Sequence, residues 1–382
     1  MTAQPVLAPA AAARPAAWAP PDLRRWLQLG LAALWVLDGV LQYQSFMFTR
    51  AFGQMLAGSA DGNPAVLAES IRWAAGIVER SPSATNAAFA TIQLALGLGI
   101  AWRPAVRVAL AGSVAWSVAV WWFGEGLGGV LNGTASPVNG APGAVILYAL
   151  LAIVIWPAPG RPRPGAASAA HPGTDDAGSF VAARPLGASA ARGLWVVLWG
   201  SLAYFSVTPA SRAAQGLHDM IAGMADGEPA WLASVDRGAA GVLAHHGLPA
   251  SIALAAVLAA IAAGIFLPAP GARAAVALAV AVSLVIWLVG QDLGEILAGN
   301  ATDVESGPLL VLIALAYWPP GAGRGRLARP LRPAAATAGP APAGTARFGS
   351  AGSGGARLAP ARSEGRESGA GESGAGAAGA AS

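Results

Sequence analysis

The sequence predicts an all-α membrane protein with eight transmembrane helices, arranged as two tandem four-helix repeats in the same orientation. Three observations predict it. Hydrophobic residues make up 55% of the 382 residues and charged ones only 11%, about half the charged share of a soluble domain. Apolar runs close to bilayer length recur along the chain. Two segments of the first half reappear in the second at nearly constant offset.

The predicted spans are 26–43, 84–102, 106–123 and 142–156 in the first half. In the second half they are 193–207, 248–267, 272–289 and 308–318. A span needs roughly 20 apolar residues, so the last of each half is short. Tryptophans such as Trp102, Trp121, Trp122, Trp156, Trp195, Trp199, Trp287 and Trp318 concentrate toward run ends, the pattern of an interfacial belt.

Arginine position sets the orientation, because positive residues are retained on the cytoplasmic side. Arg24 and Arg25 precede the first span, Arg103 and Arg107 flank the turn into the third, and Arg161, Arg163, Arg184 and Arg192 lie between the halves. The segments assigned to the cytoplasm hold eighteen arginines and six acids, against five and twelve outside. Both termini are therefore expected in the cytoplasm of a bacterial cell, with the chain in the inner membrane. Arg24-Arg25-Trp26-Leu27 has the look of a twin-arginine signal, but no small-residue cleavage site follows. The first run is read as an uncleaved span.

Residues 60–68 (ADGNPAVLA) and 225–233 (ADGEPAWLA) agree at seven of nine positions, an offset of 165. Residues 121–142 align without gaps to 287–308 with nine of 22 identical, an offset of 166. Units with an even number of spans share one orientation, so the expected relation is an axis along the membrane normal. Five regions follow: a disordered cytoplasmic N-terminus (1–22), a first unit (23–158), a Pro/Ala/Gly-rich cytoplasmic linker (159–191), a second unit (192–320) and a basic low-complexity tail (321–382). Each unit has a long external connection between its first two spans. Asn63-Pro64 and Glu228-Pro229 mark helix starts there, and 65–80 reads as a surface amphipathic helix with Ile71, Ala74, Ala75 and Val78 on one face.

Composition removes several chemistries. All 23 basic residues are arginines, and eight lie in the tail against three acids; the rest of the chain sums to −1. Basicity is a tail property, and no nucleic-acid partner is expected. Without cysteine there are no disulfides, thiol relays or cysteine-ligated clusters. His171, His218, His245 and His246 all lie outside the spans, which argues against a haem held between helices. Adjacent His245 and His246 lack ligand spacing, so no metal is assigned.

The polar candidates are few. Asp38 lies thirteen residues into the first span, and an acid at such depth is a functional candidate unless a neighbouring span or the interface satisfies it. With Glu125 at the end of the third span and Gln93 in the second it forms the candidate ligand or proton site, Arg50 and Arg72 being available as counter-charges. Asp292 and Glu295 form a possible external acidic site, against the plainer reading of a solvated rim. Gly124, Gly126 and Gly129 match Gly-x-Gly-x-x-Gly, but no strand precedes them and the second unit has Asp292 and Glu295 in place of two glycines. The shared spacing, Gly124 with Gly128 and Gly290 with Gly294, is read as close helix approach.

The first span and its exit, LGLAALWVLDGVLQYQSFMF, in a four-span unit with a long external first loop, resemble the DoxX-like superfamily of small bacterial membrane proteins. The paired loop segments resemble more closely a bacterial integral membrane family of unassigned function with a doubled unit. The resemblance implies association with quinone-linked oxidation or with respiratory and maturation complexes, and it carries no catalytic residue. The expected function is a non-catalytic or accessory membrane subunit that contacts a quinone or a redox partner protein. No cofactor is fixed by a motif, a quinone being the one the resemblance allows. The alternative is a secondary transporter with a path between the parallel repeats near Asp38.

Overall fold

A computed structural model describes residues 22–157, 180–299 and 301–319. These residues are all-helical, with no strand among them. The expected disorder before residue 22 and after 320, and most of the 159–191 linker with His171, lie outside the described residues.

The first half contains α1 (Leu23–Leu41), α2 (Arg50–Gly58), α3 (Ala65–Arg80), α4 (Pro82–Ala101), α5 (Val106–Phe123) and α6 (Ala144–Val154). The second half contains α7 (Ala183–Leu186), α8 (Ala188–Phe205), α9 (Pro209–Arg212), α10 (Gly216–Met224), α11 (Ala230–Leu243), α12 (Gly247–Gly264), α13 (Ala269–Val289) and α14 (Ser306–Ala316). From α8 onward, the four-residue α9 apart, the helices follow the first half's order: a long helix, a shorter pair, two long helices and one of eleven residues. Both connections between the first and second long helices hold a helical pair: α2 with α3, and α10 with α11.

Four helices, α4, α5, α12 and α13, are long and apolar enough to cross a membrane, which suggests a membrane-embedded protein. They coincide with the predicted spans 84–102, 106–123, 248–267 and 272–289. The first predicted span of each half forms α1 and α8. The last forms only eleven helical residues, α6 and α14, or about 16 Å at ~1.5 Å per residue.

Local sequence explains the starts. Asp22 caps α1, its carboxylate accepting from the Arg25 amide at 3.0 Å. Pro82 opens α4 and Pro64 and Pro229 precede α3 and α11, where a missing N–H costs nothing. One face of α3 buries Leu67, Ala68, Ile71, Ala75 and Val78.

Helices α1, α4, α5 and α6 pack in a ring, and α6 lies against α14, which also touches α1. One apolar core runs through both halves, from Leu27, Leu31 and Trp35 to Leu309, Ile313 and Tyr317. The end of the predicted linker belongs to it: Phe180 to Ala183 are buried and Phe180 stacks on Tyr317 at 5.1 Å. Apolar side chains close enough to reach the bundle are drawn in, whatever the linker-like composition before them.

The glycine spacing has a different purpose from the one its sequence indicates. Gly124 and Gly290 cap the ends of α5 and α13. Beyond them, Gly126, Leu127, Gly128 and Gly129 all take positive φ (55° to 71°), as do Asp292, Leu293, Gly294 and Glu295 (45° to 81°). A left-handed turn in each half thus sends the chain back toward α6 and α14. A Cβ on Gly128 would collide with the Pro142 carbonyl, and one on Gly294 would meet the Val304 backbone at 2.9 Å. The close approach is turn to strap, not helix to helix.

Candidate functional site

The segments between these turns and the two short helices place the polar groups. In the first half the Glu125 carboxylate accepts from the Val145 amide at 3.0 Å, at the start of α6. In the second half Gln291 occupies the equivalent place, accepting from the Gly307 amide at 3.2 Å at the start of α14. Trp121 and Trp287 repeat the arrangement, each indole donating to a strap carbonyl, Pro142 at 2.6 Å and Val304 at 2.9 Å. Each strap also reaches into the other half. Gln42 and Gln44 at the end of α1 donate to Thr302 and Ala301 at 3.4 and 3.0 Å, and Gln291 donates to Pro137 at 3.3 Å.

Between α1, α2, α3, α4, α5 and α6, with Thr302 and Asp303 from the second half's strap in its wall, lies a cavity of about 320 Å³. Its surface is mostly aromatic and aliphatic, with Trp35, Phe52, Trp73, Phe89, Trp116 and Phe123 contributing rings. Asp38, Gln93 and Glu125, the sequence-level candidates, all line it, joined by Gln42 and Asp303. A second, polar pocket of about 230 Å³ is bounded by Glu125, Thr134, Asn139 and Glu305 among others. Glu125 stands in the wall of both.

The acids have no cationic partner in either wall. Arg72 pairs instead with Asp61 at 3.8 Å, and both are exposed, so it does not supply the counter-charge the sequence offered. Asp38 is 1% exposed; it takes a hydrogen bond from the Val304 amide and lies beside Tyr148, while its Oδ1 has no partner. The Asp303 carboxylate accepts from the Glu305 amide at 2.7 Å and the Thr302 hydroxyl at 3.2 Å. Burial pushes Glu125 up to about 8, reinforced by the charge of Asp303 and opposed by the amides of Val145 and Ala144. Burial also raises Asp303, and it raises Glu305 with help from the charges of Asp303 and Glu125.

Asp292 and Glu295 are placed elsewhere, in the left-handed turn after α13. Asp292 is fully buried against Asp236 of α11, itself fully buried. Neither carboxyl finds another side-chain partner, so a bond between them needs one shared proton. Burial, then the bond and charge of Asp236, push Asp292 up to about 8. Glu228 and Glu295 add further negative charge, and Arg237 is the cation acting on Asp236.

Sequence reasoning passed over Asp303, Glu305, Tyr148, Asp236 and Glu228. The gapless alignment held one signal: Asp303 and Glu305 stand opposite Pro137 and Asn139, acids in one segment and neutral residues in the other. Tyr148 and Asp236 gave none, since only the fold brings them to their partners.

Among the described residues no group of three or more His, Asp or Glu is arranged to hold a metal ion. The left-handed turn after α5, with its glycine fingerprint, packs Gly128 against Pro142, and where Gly128 and Gly129 border the polar pocket they stand beside the carboxyls of Glu125 and Glu305, a setting that does not favour a phosphate. The arrangement instead offers a lipophilic chamber with hydrogen-bonding groups along one wall. No protein-family model, no curated protein and no solved structure matches this chain.

Proposed function

We propose that this chain is an eight-span bacterial inner-membrane protein, made of two tandem four-span units of the same orientation with both ends cytoplasmic. Its first unit holds a lipophilic small molecule, and the protein acts as a non-catalytic binding subunit, the role the DoxX-like resemblance implies. The observation that carries this reading is the aromatic cavity walled by Asp38, Gln93 and Glu125. Its volume lies at the lower end of the ~300–1,000 Å³ typical of small-molecule sites, and exposed Met55, Trp73 and Ile77 stand in its wall, an apolar way in from the surroundings.

The matching helix order supports duplication, as do the paired left-handed turns and the equivalent places of Glu125 and Gln291. Buried straps beside short helices agree with a bilayer, where irregular backbone is tolerated only inside protein. Secondary transport is the second reading. It is favoured by the position of Glu125, which faces both the lipophilic cavity and the polar pocket and so stands where a proton or solute would pass between them.

The test is isolation of the full chain from its native membrane, with identification of retained lipid-soluble molecules by mass spectrometry. Ala119 lies in the cavity wall, and Ala119→Trp should fill the space. Retention by the unsubstituted protein and loss in an equally stable Ala119→Trp variant is the expected result. Equal retention in both places the binding elsewhere and overturns the reading.

A further inference from the structure

We propose that the ligand of this cavity is a lipophilic cation: an apolar or aromatic body carrying a protonated amine or quaternary ammonium head, seated against Asp38 and Asp303. This rests on the reading that the cavity binds a lipophilic molecule, and names the class it selects.

The hydrogen-bond inventory of the wall points there. Among the lining residues, four acceptor atoms are buried without a partner: Asp38 Oδ1, Gln42 Oε1, Gln93 Oε1 and Glu125 Oε2. Among the lining residues one donor, Trp116 Nε1, is left in the same condition, and the Tyr148 hydroxyl, beside Asp38 but outside the lining, is a second, so acceptors remain in excess. Buried polar groups are seldom left unpaired, so the missing partner is a donor or a positive charge. A fatty acid would bring a fourth carboxyl to a wall that already holds three and no arginine or histidine. An oxidised quinone offers two further acceptors to a wall short of donors.

The apolar part of the wall agrees. Trp35, Phe52, Trp73, Phe89, Trp116 and Phe123 surround the space, and the faces of such rings attract cations, most strongly where water is excluded. Asp38 anchors the polar end, almost wholly buried in the wall with its Oδ1 taking no hydrogen bond from the protein. Burial favours the protonated form of Glu125 and Asp303, helped at Glu125 by the charge of Asp303. A bound cation takes the place of a proton, so its affinity rises with pH.

The two halves differ in a way that fits a single site. At the offset of 165 residues Phe52, Leu56, Val78 and Phe89 stand opposite Leu217, Ile221, Leu243 and Leu254. These pack with Val138 in one apolar cluster. The acid pair Asp38 and Glu125 has no acidic counterpart there.

The experiment titrates the full chain in lipid nanodiscs with dodecylamine, dodecanol, dodecanoate and a short-chain benzoquinone, read by quenching of tryptophan fluorescence and by calorimetry. The amine should bind about tenfold or more tighter than the alcohol, the equivalent of ~1.4 kcal/mol, with the carboxylate weakest. Asp38→Asn should erase that preference, and Asp303→Asn serves the same purpose if the first variant does not fold. Equal binding of amine and alcohol, or tighter binding of the quinone, overturns the cation assignment while leaving the cavity as a lipophilic site. Binding of none of the four overturns the cavity reading itself.

Discussion

Glu125 and Gln291 do one job with different chemistry. Each side-chain oxygen accepts a backbone N–H at the start of a short helix, α6 or α14. The amide at Gln291 shows that capping does not need a charge, so the carboxyl at Glu125 is surplus to the fold and available to a ligand. Glu125→Gln is therefore expected to keep thermal stability in detergent within a few tenths of a kcal/mol of the parent. Glu125→Leu, which leaves the Val145 amide buried and unpaired, should cost about 1–3 kcal/mol. Equal losses in the two variants would mean that the charge itself holds the fold. Asp38, Gln93 and Glu125 were legible as candidates because polar residues in or beside apolar runs stand out. Asp303 and Tyr148 were not, since an acid in a loop and a tyrosine in a span are ordinary until the fold brings both to Asp38.

The left-handed turns after α5 and α13 show how an element can be shared while its chemistry diverges. Three of the four residues are glycine in the first half, where positive φ is free of cost. In the second, Asp292 and Glu295 adopt the same conformation, at a cost of roughly 1–2 kcal/mol each. The alignments place Asp292 opposite Gly126 and Asp236 opposite Ile71. A Cβ on Gly126 would come within 3.5 Å of Ile71, so in the first half the same contact is apolar. The acid pair tethers α11 to the turn only while it holds a proton. Its carboxyls are raised in the folded state, so its contribution is whole below the ordinary carboxylate range and is lost as pH rises through about 8. Thermal melts from pH 6 to 9.5 should show the parent losing stability more steeply than Asp236→Ile/Asp292→Gly, which restores the first half's residues. Parallel curves would refute the shared proton. Glu125, Asp303 and Glu305 drift in the same direction in both proteins, and the comparison cancels them; Glu228, raised in part by Asp236, relaxes in the variant and widens the same difference.

At the scale of the molecule, the straps before α6 and α14 are exchanged between halves. Val138 of the first packs on Leu217, Ile221 and Ala240 of the second, while Thr302 and Asp303 of the second close the first half's cavity. The halves thus form one core rather than two separable bundles. The proposed eight-span arrangement predicts that reporter fusions after Trp156 and Trp318 behave as cytoplasmic and those at Gly62 and Gly227 as external. A periplasmic signal after Trp156 or Trp318 would break the model of two like-oriented units.

The sequence by itself determined what depends on composition and period. Helices rather than strands follow from long apolar runs, and the sites of α3 and α11 from Asn63-Pro64 and Glu228-Pro229. The candidate polar residues followed from the rarity of charge inside apolar segments. The tertiary structure alone decided that the last predicted span of each half is a short helix with a folded strap, because a strap and a helix of the same apolar composition differ only in what satisfies their backbone groups. It also decided that the glycine fingerprint is a left-handed turn, a matter of the chain's route, and that Phe180 to Ala183 are core. The cavity belongs to the same class: its wall joins six helices of one half to a strap of the other, and no local pattern records the approach of residues up to 265 positions apart, as for Asp38 and Asp303.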